Sequence, residues 1–211
     1  MAIDHFEKYF YREDRVDWNF NILFPNQPNL EKLVGEYKPL LNHEGLYEPI
    51  PFQWIHSTIL RVGLLEDFTE QEMLKVADCL QIKLASLHLP EFGIDSWWLS
   101  SGNVVLHISP DDVYRLIHSA VIEALHEVFS VERMLSFVER KFTPHITLAY
   151  TRTQTSELEV ARSLTTKPAG ELVTFEATQL SLIKQWPVNG HYEWEVVRTI
   201  PIGNSGMYEN E

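Results

Sequence analysis

KFTPHITLAY, residues 141–150, is the stretch on which the reading of this chain turns. A proline interrupts it after Thr143, and the residues that follow have the apolar, β-branched character of a buried strand. Side chains on a strand alternate between faces. His145 and Thr147 therefore share one face, and Ile146, Leu148 and Tyr150 point to the other. The apolar face needs a covering of helices, which turns the histidine and threonine toward whatever the strand helps to enclose. An earlier stretch, FQWIHSTILRVG (52–63), repeats the arrangement. His56 and Thr58 share a face there, Ile55 and Ile59 oppose them, and alternation puts Trp54 beside His56. The two histidines stand 89 positions apart (145 − 56).

Residues i and i+2 of a strand lie about 6.6 Å apart, so an imidazole and a hydroxyl can reach different oxygens of one tetrahedral phosphate. Two such strands side by side would bring two imidazoles and two hydroxyls together. That quartet suits phosphoester cleavage without a metal: a neutral imidazole accepts a proton from the attacking oxygen, and an imidazolium gives one to the leaving oxygen. The hydroxyls would hold the non-bridging oxygens as charge builds on them. A single His-x-Ser/Thr is weak evidence in a chain with nine histidines. His107-Ile108-Ser109 is such a case, because Ser109 reads as the cap of the helix that follows. The pairing of two strand-borne copies, each with threonine, carries the argument.

Working outward, WNFNILF (18–24) alternates as a strand, and 28–42 makes a short helix that Pro39 bends or ends. Thr69 and Glu72 form a capping-box pair that opens a helix with Met73, Leu74, Ala77, Leu80 and Leu84 as its apolar stripe. Strands follow at 96–101 and 103–108. A second helix starts at SPDD, with Val113, Leu116, Ile117, Ala120, Val121, Ala124 and Leu125 inward. A shorter helix is expected near 156–165, and then TFEATQLSLIKQW and HYEWEVVRTIPI form a hairpin through Asn189 and Gly190. This order predicts an α+β fold, with mixed sheets carrying helices on their outer faces. Residues 1–203 are expected to form one domain, and 204–211 a loose tail.

Composition sets limits on function. A chain of 211 residues with 45% hydrophobic content can bury one substantial core. The N-terminal stretch is charged throughout and no segment is apolar enough to span a bilayer, so a cytoplasmic protein without a membrane partner is expected. Cys79 is the single cysteine, and no HExxH, His-x-His or Cys/His cluster is present, so neither a disulfide, a metal site nor a cofactor is expected. A net charge of −13 disfavours long duplex nucleic acid, which needs many basic contacts, and leaves room for a small anion in a local pocket. Nothing in these features fixes an oligomeric state.

With these motifs in view, the sequence resembles the 2H phosphoesterase superfamily in its 2′-5′ RNA ligase-like, cyclic phosphodiesterase branch. HSTILRVG (56–63) is similar to the family's first His-x-Thr motif and its trailing glycine, and PHITLAY (144–150) to the second. FNILF (20–24) and 182–203 are similar to an early strand and the closing hairpin, so the likeness spans nearly the whole chain. The resemblance implies two pseudo-symmetric lobes around a central cleft lined by His56, Thr58, His145 and Thr147. It also implies metal-independent action on 2′,3′-cyclic or 2′-5′ linked phosphodiesters of a nucleotide or short RNA. Ser57 and Arg61 depart from the family's apolar residues, and alternation puts both on the face away from the cleft. Trp54, Asn21 and Tyr192 are candidate substrate contacts, and Lys141, Arg152 and Lys184 are scattered basic residues that ordinary solvation explains equally well. The alternatives to hydrolysis are 2′-5′ RNA ligation and a module that binds cyclic nucleotides without turnover.

Overall fold

The computed structural model describes residues 15–41, 47–100, 102–134, 142–152, 173–188 and 190–203. Its strands are β1 (Asp17–Leu23), β2 (Tyr47–Pro49), β3 (His56–Leu64), β4 (Phe92–Ser100), β5 (Asn103–Ser109), β6 (His145–Thr151), β7 (Val173–Phe175), β8 (Gln179–Val188) and β9 (His191–Pro201). Its helices are α1 (Pro28–Leu41), α2 (Glu70–Leu84), α3 (Asp111–Val128) and the short α4 (Val131–Met134). One sheet has the order β3-β1-β8-β9 and the other β2-β6-β5-β4-β7. The expected helix near 156–165, the tail at 204–211 and Lys141 lie outside the described residues.

The α+β architecture follows the sequence reading, with one correction. Among the described residues every strand pair is antiparallel, where mixed sheets were expected. Parallel neighbours need a crossover that returns to the same sheet. Here α1 and α2 instead carry the chain from one sheet to the other, and β5 and β6, joined through α3, still pair antiparallel. The segment read as one strand from 174 to 186 also divides between the sheets: β7 edges the larger one, and β8 joins β1 in the smaller.

Each sheet buries one face. On β1, Trp18, Phe20 and Ile22 are sealed in the core, and the Trp18 indole N–H donates to the carbonyl of Phe68 at 2.8 Å. The other face of β1 carries Asp17, Asn19 and Asn21. Helix α2 opens on the predicted capping box: Thr69 Oγ1 accepts from the Glu72 amide at 3.3 Å, and Glu72 Oε2 accepts from the Thr69 amide at 2.8 Å. Arg133 donates to the same carboxylate at 2.6 Å while lying over the rings of Phe68 and Phe129, which ties α4 to the start of α2. The inward stripe of α2 takes Val76 in place of the expected Leu74.

Helix α3 presents Tyr114, Ile117, Ala120, Val121, Ala124 and Leu125 to the core, packs against α2 and touches β3 and β5. It therefore ties both sheets to a single interior. Leu116, expected inside, is 48% exposed. Pro110 occupies the cap position of α3 without a side-chain cap bond, and Ser109, expected there, ends β5. Helix α1 runs two residues past Pro39. At the β8–β9 turn Gly190 has φ +92°, a backbone conformation that residues with a Cβ rarely adopt, so the turn favours glycine. No helix among the described residues is long and apolar enough to cross a membrane.

Candidate active site

His56 begins β3 and His145 begins β6, and although these strands belong to different sheets they approach one another. Between them lies an open cavity of about 160 Å³. His56, Thr58, His145, Thr147 and Tyr192 all line it, together with Asp17, Asn19, Arg61, Asn103, Tyr150 and Gln185.

The two histidines are held in the same way. His56 Nδ1 lies 3.0 Å from the carbonyl oxygen of Trp54, and His145 Nδ1 lies 2.7 Å from that of Thr143, each two residues upstream. A carbonyl only accepts, so Nδ1 carries the proton in both rings and Nε2 keeps its lone pair. Each imidazole is thus fixed in orientation and in tautomer.

The likeness between the two strands extends to their irregularities. On β3, Phe20 of β1 pairs with Leu60 and the next residue, Asn21, pairs with Thr58, which leaves Ile59 as an extra residue. On β6, Val104 of β5 pairs with Ala149 and Val105 pairs with Thr147, which leaves Leu148 as the extra one. Both bulges follow directly after the threonine. A bulge shifts the phase of alternation by one residue. Arg61 and Tyr150 therefore line the cavity, whereas plain alternation assigned both to the opposite face. Ser57, before the bulge, is fully buried away from the cavity as expected.

Two of the candidate contacts lie elsewhere. Trp54 belongs to a 3-10 turn, Phe52–Trp54, that precedes β3, so strand alternation does not apply to it. Its ring packs edge-on against Trp194 at 4.8 Å and near His191, outside the cavity lining. Asn21 is fully buried between Thr58 of β3 and Ser181 of β8, and its amide has no hydrogen-bond partner among the described residues. Lys184 is engaged on the surface with Glu70 at 2.7 Å.

The sequence reading passed over other neighbours of the site. Trp194 stands edge-on to His56 with centroids 4.9 Å apart. Tyr150 meets Tyr192 edge-on at 5.5 Å. His107 is the direct cross-strand partner of His145 and bonds Asp111, which also accepts from Arg115 at 3.0 Å. The hairpin pattern could have suggested Trp194, because it lies two residues after Tyr192. The His107–His145 pairing depends on the β5–β6 register, which no local pattern specifies.

Burial sets the charge state of the site. It pushes His56 down to about 4; the Trp54 carbonyl opposes this, and a charge on His145 would add to it. Burial also lowers His145, against the pull of the Thr143 carbonyl, with repulsion from His107 as a lesser cause. Asp17 is raised by burial, opposed chiefly by Arg15. Both site histidines are therefore neutral in the free protein near pH 7.

A stability prediction follows. The unfolded chain binds a proton at His56 near the ordinary value of about 6.5, and the folded chain does so only near 4. Below 6.5 the unfolded state holds more protons, so this contribution is full above 6.5 and declines as pH falls toward 4, by about 3 kcal/mol. Urea midpoints measured between pH 7 and 4 should fall less steeply for His56→Gln than for the unmodified protein.

No family model and no curated protein matches the sequence. Solved structures do match. The crystal structure of TT0787 of Thermus thermophilus superposes with a TM-score of 0.64 at 16% identity, covering 88% of this chain and 97% of that one. A structure described as a phosphoesterase gives 0.63 at 15% identity, covering 90% and 99%. E. coli LigT complexed with 3′-AMP gives 0.61 at 15% identity, also covering 90% and 99%. Near-complete coverage on both sides means that the likeness takes in both sheets and the helices that join them. The chain has the LigT-like fold.

Proposed function

We propose that the protein is a metal-independent phosphodiesterase that opens 2′,3′-cyclic or 2′-5′ linked phosphodiesters of nucleotides or short RNA. The observation that carries this reading is the convergence of two tautomer-fixed imidazoles and two threonine hydroxyls on one open cavity. The LigT-like fold supports it, as does the LigT structure with 3′-AMP, a small nucleotide.

In this reading one imidazole takes a proton at Nε2 from the attacking water while the other, protonated, gives its proton to the leaving oxygen. Thr58 and Thr147 donate to the non-bridging oxygens, whose charge grows in the transition state. Tyr192 contributes a substrate contact from the rim. With both histidines neutral in the free protein, the acid form has to be acquired, and the approach of an anionic phosphate favours it by stabilising an imidazolium.

This gives the pH dependence a direction. Both pKa values lie below the ordinary histidine value, so kcat/KM should peak at acidic pH. It should fall by up to tenfold per unit as pH rises through 7 and 8. Initial rates across pH 4–9 check this, and an optimum at 8 or above would contradict it.

The central test is turnover of 2′,3′-cyclic mononucleotides and 2′-5′ linked dinucleotides with EDTA present. Hydrolysis of either class supports the reading. Joining of RNA ends that bear a cyclic phosphate, without hydrolysis, would favour the ligase alternative. Calorimetric binding without product would leave a binding module.

A further inference from the structure

We propose that the Arg61 end of the cavity is a second anion subsite, built to take the 5′-phosphate of the nucleotide whose reacting phosphate lies between the two histidines. This rests on the phosphodiesterase reading and names the substrate feature that the site selects.

Among the described residues that line the cavity, Arg61 supplies the lysine-or-arginine charge and Asp17 the carboxylate. Two guanidiniums share that carboxylate. Arg15 Nε and Nη2 lie 2.9 and 3.2 Å from its oxygens, and Arg61 Nη2 lies 2.8 and 3.0 Å from them. Two cations on one anion leave one positive charge over. Asp67 also acts on Asp17, but it is exposed and therefore screened by water and salt. Arg15 keeps Asp17 paired when Arg61 turns toward a ligand, so recruiting Arg61 strands no buried charge. The Arg61 side chain is 44% exposed and can make that turn.

Position fixes which group Arg61 meets. Along β3 the residues facing the cavity are His56, Thr58 and, past the bulge, Arg61. Same-face neighbours on a strand are about 6.6 Å apart, so Arg61 is rooted at least one such step beyond Thr58, on the side away from His56. The two phosphorus atoms of a ribose 3′,5′-bisphosphate stand about that far apart. Guanidinium also matches phosphate with two parallel N–H bonds.

The pseudo-symmetric position on β6 gives the site a polarity. Tyr150 stands there, 89 residues on, uncharged and packed edge-on to Tyr192. One end of the cavity is thus cationic with the amides of Asn19 and Gln185 beside it, and the equivalent step on the other strand is aromatic. A nucleotide with phosphates at both ends of its sugar fits such a lopsided cavity in a single orientation.

Calorimetry at fixed ionic strength with adenosine 3′-monophosphate and adenosine 3′,5′-bisphosphate tests this without requiring turnover. The unmodified protein should prefer the bisphosphate at least tenfold. Arg61→Met should bring that ratio to within about twofold and leave monophosphate affinity within about threefold, and Arg61→Lys should fall between. Thermal melts establish that the variants are folded, and Arg61→Lys carries the comparison if the methionine variant is not. A preference that survives in Arg61→Met overturns the proposal. So does an equal loss for both ligands, or the absence of preference in the unmodified protein. Hydrolysis of cyclic nucleotides without bisphosphate preference would remove the subsite and leave the reaction. Preference without hydrolysis would do the reverse.

Discussion

Replacing His145 or His56 with alanine should lower kcat on a 2′,3′-cyclic nucleotide by about a thousandfold, within the range of roughly 10²–10⁴ for removal of one positioned acid or base. Each ring sits at the head of its strand, held through Nδ1 by a backbone carbonyl that belongs to the fold and not to the ligand. Truncation therefore removes the proton-carrying group and leaves the two threonine hydroxyls in place. Because the two imidazoles act on one proton inventory, the double variant should be little worse than either single one. KM should change far less than kcat if the threonine hydroxyls carry ground-state binding. Steady-state rates with EDTA present, alongside thermal melts showing intact folding, provide the measurement. Activity within tenfold of the original in both single variants would remove both histidines from the chemistry.

Trp18→Ala should destabilise the protein by about 3–5 kcal/mol, the usual cost of emptying a fully buried indole site. Trp18 has no exposed surface, and its N–H bonds the Phe68 carbonyl just before the cap of α2. The substitution therefore opens a cavity and orphans a buried acceptor at once. Lys184 also lies over the ring at 5.5 Å, a contact that ends with it. Trp18→Phe keeps most of the apolar volume and loses the hydrogen bond, so it should cost less than the alanine change. Urea unfolding of the three proteins at pH 7 provides the comparison. A loss below about 1 kcal/mol for alanine would mean that the core beneath β1 closes around the gap.

The two site threonines offer an instructive contrast with Arg61 and Tyr150. His56, Thr58, His145 and Thr147 were legible because i and i+2 share a strand face under any pairing. The capping box of α2 and most of the inward stripes of α2 and α3 were legible for a similar reason, since helical periodicity and cap chemistry are local. Trp54 was misplaced because the strand starts at His56, four residues later than the stretch read from 52, after a 3-10 turn. Asn21 was correctly put on a strand, but that strand's place beside β3 in the sheet did not bring it to the cavity.

The chain's own order of residues determined that two imidazole–hydroxyl pairs would sit on strand faces with apolar backs, because alternation needs no partner strand to be defined. Tertiary structure decided which further side chains join them. Whether Arg61 and Tyr150 face the cavity depends on one extra residue in each of two strands, and an extra residue exists only relative to the strand it is paired with. The antiparallel sense of the sheets and the meeting of His107 with His145 are likewise properties of pairing between distant segments, set by how the whole core packs.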